Sequence, residues 1–114
     1  MGYRSDVALV LSKEAAALLK KRLENTTEDE RYLFDHADLH RIDADKGDEL
    51  WRWNCLKWYP EFPEVAFVNS FVENLDPNDF LSIRIGESYC DIEVIGSYWL
   101  NAFNLGVVTS IVTN

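Results

Sequence analysis

The chain has 114 residues, a formal net charge of −9, and is 47% hydrophobic and 13% aromatic. This apolar content is more than a disordered chain carries, the length suits one domain, and no apolar run approaches the ~18 residues that cross a bilayer as a helix. A surface this negative repels phosphate, so it disfavours direct nucleic-acid binding and attracts basic macromolecules.

Val7-Ala8-Leu9-Val10-Leu11 is a short, continuous, partly β-branched run, which predicts a strand covered on both faces. The run is too short for a secretory signal, and Asp6 replaces the Ser or Thr that a myristoylated Gly2 needs, so a cytoplasmic location is expected. Ser12 offers an N-cap. Ala15, Leu18, Leu19 and Leu23 then recur at helical spacing, opposite Lys20, Lys21 and Glu24. This predicts an amphipathic helix of about four turns ending near Asn25.

Residues 26–30 read as a polar loop. Tyr32 to Asp43 reads as a strand carrying Leu33, Phe34, Leu39 and Ile42. Ala44 to Asp48 has turn chemistry, with Gly47 supplying positive φ. Leu50 to Tyr59 resumes as a strand with Trp51, Trp53 and Cys55 on one face, so the two strands form a hairpin. Pro63 opens a second helix whose Val65, Val68, Val72 and Leu75 share a stripe, and Asp76-Pro77-Asn78-Asp79 ends it. Phe80 to Glu87 alternates, with Leu81, Ile83 and Ile85 inward and Ser82 and Arg84 outward. Asp91 to Ile95 alternates again, and Gly106 to Thr113 reads as a final strand.

The order is β-α-β-β-α-β. It predicts a single acidic α+β domain over residues 1–114 with a ferredoxin-like antiparallel sheet, two helices on one face, and one or two extra C-terminal strands.

The negative charge is uneven: residues 28–49 carry nine acids and three bases. Asp43, Asp45, Asp48 and Glu49 crowd the predicted turn. An EF-hand loop needs Gly at its sixth position and Glu at its twelfth; counted from Asp43, these positions hold Asp48 and Asn54. The cluster is therefore assigned to a partner-binding surface and not to a metal. Trp58 and Tyr59 follow closely, with Trp58 out of phase with Trp51 and Trp53. Exposed rings beside charges are typical anchors of protein interfaces, so Trp58 and Tyr59 join the predicted contact surface.

In a strand, His36 and His40 would stand ~13 Å apart, too far for one zinc ion. The sequence has no nucleophile elbow, phosphate loop or dinucleotide fingerprint, so no catalytic residue or cofactor is assigned. Cys55 and Cys90 are expected to be buried free thiols, with a disulfide between them as the alternative. Arg4, Ser5, Asp6, Arg84 and Glu87 are polar groups beside apolar strands, suited either to a small ion network or to lining a pocket.

Three stretches taken together carry a resemblance. They are Gly2-Tyr3-Arg4-Ser5-Asp6-Val7, Lys57-Trp58-Tyr59, and Ile83-Arg84-Ile85-Gly86-Glu87 followed by Asp91-Ile92-Glu93. The set resembles a family of small uncharacterised proteins encoded by tailed bacteriophages and prophages. The family tends to be acidic after its Gly-Glu pair, where this chain has Ser88-Tyr89-Cys90. The resemblance implies a non-catalytic accessory protein in the bacterial host cell that binds and inhibits a basic host protein or nucleoprotein complex, such as a CRISPR effector or other defence system. The alternatives are a small-molecule-binding protein or enzyme using Arg4, Arg84 and Glu87, an acidic immunity protein that neutralises a basic nuclease toxin, and a structural part.

Overall fold

Strand β1 (Ser5–Leu11) lies at the centre of a five-stranded antiparallel sheet of order β2-β3-β1-β4-β5. The other strands are β2 (Leu39–Ile42), β3 (Glu49–Leu56), β4 (Phe80–Gly86) and β5 (Ile92–Gly96). This computed structural model describes residues 2–88, 90–103, 105–107 and 111–112.

Register follows the apolar pattern. Leu9 lies between Trp51 of β3 and Ser82 of β4, and Val7 lies between Trp53 and Arg84. Three helices cover the face holding Val7, Leu9, Leu11, Trp51 and Trp53: α1 (Lys13–Leu23), α2 (Glu28–Asp35) and α3 (Pro63–Glu73). Their buried residues include Ala15, Leu19, Leu33, Phe34, Val68 and Phe71. Ala8, Val10, Leu50, Leu81 and Ile83 form a second core on the opposite face, roofed by Phe103 and Leu105. Strand β1 is therefore buried on both sides, which is why its run has no polar alternation.

The segment from Tyr32 to Asp43 differs from its expected strand. It contributes the end of α2 and, after a break, the four-residue β2. Thr27 and Glu30 form a capping box: the Glu30 N–H donates to the Thr27 hydroxyl and the Thr27 N–H to the Glu30 carboxylate. That start signal places Leu33 and Phe34 on the buried side of a helix, so the helix layer has three members where two are expected. Ser82 and Arg84 are also placed differently. Their register with Leu9 and Val7 puts them on the helix side of the sheet, while Leu81 and Ile83 fill the second core.

Strand β5 joins the sheet beyond β4. The expected strand from Gly106 to Thr113 resolves into β6 (Gly106–Val107) and β7 (Ile111–Val112), paired in a separate two-stranded sheet; the rest of that expectation lies outside the described residues. Among the described residues, no helix is long and apolar enough to cross a membrane.

Candidate functional site

The acidic hairpin between β2 and β3 disperses its carboxylates. Asp43 takes the Lys46 N–H on its side chain at 2.7 Å and the Gly47 N–H on its carbonyl at 3.0 Å. Gly47 completes this turn at φ +79°, a conformation that suits glycine. Glu49 Oε1 lies 2.7 Å from His40 Nε2, and the His40 ring stacks on Trp51 at 3.5 Å. Asp48 is only 1% exposed. It accepts the Tyr98 hydroxyl at 2.8 and 2.9 Å and the Ala102 N–H at 2.9 Å, which stitches the C-terminal roof to the sheet. The expected placement of Asp48 in a contact surface is thereby corrected. Asp45 alone of the four is exposed.

Trp58 and Tyr59 follow the far end of β3, a strand whose seven residue steps span ~23 Å from the hairpin. The six residues assigned to one surface thus occupy two ends of the sheet. Trp58 is half-buried and packs against Trp53 with ring centroids 6.0 Å apart. Tyr59 is also half-buried, and its hydroxyl accepts the Tyr3 N–H at 2.8 Å.

That end of the sheet also collects the three stretches noted in the sequence. The Tyr3 hydroxyl donates to Asp91 at 2.6 Å and accepts the Ser88 N–H at 2.8 Å. Arg84 grips Asp91 with two nitrogens at 3.2 and 3.0 Å, donates to Ser5 Oγ at 3.1 Å, and brings Nε to 3.6 Å from Glu93. A Cβ on Gly86 would overlap the Asp91 carboxylate and the Tyr3 hydroxyl, so a larger residue there would displace this pair.

Beside it, the Arg4 N–H donates to Glu87 at 2.9 Å, and the Arg4 guanidinium donates to the Cys55 carbonyl at 2.9 Å. Asp6 accepts the Cys55 N–H at 2.9 Å. Together these bonds hold Cys55 at φ +59°, in a bulge where Ser5 pairs with Leu56 and Val7 with Trp53. Arg4, Ser5, Asp6, Arg84 and Glu87 do not join in one ion network: Arg84 bonds Ser5 and takes Asp91 as its carboxylate, while Arg4 bonds Glu87 and, with Asp6, the Cys55 backbone. Arg4, Ser5, Asp6 and Glu87 line a small cavity of about 210 Å³ beside Cys55. Cys55 and Cys90 are free thiols and both are exposed, which corrects the expectation of burial.

The Arg84 and Tyr3 hydrogen bonds hold the Asp91 carboxyl below the usual carboxylate range. A lowered folded-state value means that the stabilisation is present above the unfolded value, about pH 4, and is lost as pH falls through the folded value. Unfolding followed by tryptophan fluorescence should therefore show a steeper loss of stability below about pH 4 in the native chain than in Asp91→Asn. Identical acid profiles would contradict the ion pair.

Over this network opens a groove of about 530 Å³ between α3 and β5. Tyr3, Trp58, Pro60 and Ile95 give it apolar walls, and Glu73 and Glu93 give it a negative rim. Arg84 also lines it, with its charge answered by Asp91 and Glu93. Sequence reasoning missed Glu73, Glu93 and Ile95, because only the tertiary structure brings α3 beside β5. A larger groove of about 680 Å³ lies between the end of α1 and α3. Its Phe67 and Phe71 rings are already capped by the Arg22 guanidinium, and its Lys21 and Arg22 are offset by Glu24 and Glu30.

Strand β5 borders the first groove. It is the edge strand of the sheet, and Ile92 is 45% exposed, Val94 44% and Ile95 42%. Among the described residues no strand pairs with its outer edge, and no group of three or more His, Cys, Asp or Glu side chains is placed to hold a metal ion. Comparison with known proteins finds no family model, curated protein or solved structure that matches this chain.

Proposed function

We propose that this protein is a non-catalytic accessory protein of a tailed bacteriophage or prophage that acts in the bacterial cytoplasm, where it binds a basic host protein or nucleoprotein complex and inhibits it. Defence machinery, including CRISPR effectors, is the target class. The observation that carries this reading is the negative, aromatic-walled groove bordered by an exposed apolar strand. Exposed apolar edges of this kind are ordinarily suppressed in proteins that act alone. The net charge of −9 adds long-range attraction toward a basic partner. In this reading the fold is ferredoxin-like. The β2-β3-β1-β4 part of the strand order and its antiparallel pairing support that, with α2 and β5 as additions.

The test is recovery and inhibition. Tagged protein expressed in a bacterial host should co-purify with one basic protein at fixed stoichiometry, and adding the purified protein should reduce the activity of that partner. Stabilisation by a nucleotide or other metabolite, with no protein recovered, would favour a small-molecule-binding protein instead.

A further inference from the structure

We infer that the outer edge of β5 is the docking site, and that it receives an extended segment of the partner in which basic and aliphatic side chains alternate. This rests on the reading of the chain as a binding protein and specifies where and what it binds. The Gly86 N–H donates to the Asp91 carbonyl at 2.8 Å. By the alternation of an antiparallel ladder, the peptide groups of Asp91, Glu93 and Ile95 then face β4, and those of Val94 and Gly96 face outward. The outward groups are a template for one more strand.

The two faces of β5 specify different neighbours. Glu93 and Ile95 lie on the helix side, where the groove adds Glu73, Trp58 and Tyr3. Among the described residues Glu73 has no cationic partner within 4.0 Å. A lysine or arginine stem would pack on the rings there, with its charge at the two glutamates. Ile92 and Val94 lie on the other side and are about half exposed, so aliphatic neighbours would cover them. Because strand side chains alternate, one segment satisfies both faces only if its basic and aliphatic residues alternate.

A second copy of this chain fits less well. Its β5 would bring Asp91 and Glu93 against the same acids, and each copy carries −9.

The test uses two capped peptides of equal composition, one with arginine and valine strictly alternating and one with them in blocks. The alternating peptide should bind about tenfold or more tighter, since only it presents both faces in register. Val94→Pro removes an outward N–H at an edge position where proline is tolerated, and it should weaken that binding about tenfold or more. Glu73→Lys should weaken it in low salt and much less in high salt; if Val94→Pro fails to fold by circular dichroism, Glu73→Lys decides. Equal affinity for the two peptides, indifference to Val94→Pro in a folded protein, or self-association through β5 would each overturn the proposal. If Val94→Pro still captures and inhibits a host protein, docking at β5 falls and the inhibitor reading stands. If the peptides behave as expected but no host protein is inhibited, the inhibitor reading falls.

Discussion

Asp48→Ala should lower the unfolding free energy by about 3–4 kcal/mol, a large share of the roughly 5–15 kcal/mol that holds a domain of this kind together. Asp48 is buried, and its two oxygens accept the Tyr98 hydroxyl and the Ala102 N–H. The alanine leaves both donors without that acceptor, close to Lys46, whose Nζ is 3.9 Å from Asp48 and donates to the Leu100 carbonyl at 2.7 Å. These bonds anchor the segment that delivers Phe103 and Leu105 onto Val10, Leu50, Leu81 and Ile83. The variant should therefore unfold at lower denaturant and expose the amides of residues 98–103 to exchange before those of β1. A loss below about 1 kcal/mol would mean that the roof is held by its apolar contacts alone.

Trp53→Ala should cost about 3–5 kcal/mol, the usual range for deleting a large buried ring. Trp53 is 1% exposed and lies cross-strand from Val7. Its indole N–H donates to the Leu33 carbonyl at 2.6 Å, and Phe34 meets it edge-on at 5.6 Å. This one side chain fastens α2 to the sheet. Trp53→Phe keeps most of the ring and loses the hydrogen bond, so it should cost about 1–2 kcal/mol. Trp53 also supports Trp58, which walls the groove. Trp53→Ala should accordingly weaken binding of the alternating peptide under conditions where the variant is still folded, whereas Asp48→Ala should not. Denaturant unfolding gives the first quantity and peptide titration the second.

The elements that read clearly from the sequence are those whose periodicity reports local burial. The unbroken run of β1, the stripe of α3 and the phase of Trp51 and Trp53 each identify a buried face. Helix α2 was legible in the spacing of Thr27 and Glu30, but Leu33 and Phe34 among polar neighbours imitate a broken strand pattern. The site was harder to read because its determinants are remote in sequence. Asp48 looks like a surface acid until Tyr98, fifty residues on, bonds to it. Arg84 finds Asp91 and not Glu87, because the turn after Gly86 brings β5 back against β4. The exposure of Ile92, Val94 and Ile95 depends on how far the cover on each face reaches toward the edge strand of the sheet, which no local pattern encodes.

Amide hydrogen exchange of the protein, free and bound to its captured host partner, tests the central claim most directly. If a basic segment extends the sheet at β5, the outward amides of Val94 and Gly96 should gain the largest protection on binding, while those of the Asp43–Asp48 turn stay unchanged. Protection confined to that turn, with Val94 and Gly96 exchanging as in the free protein, would contradict it.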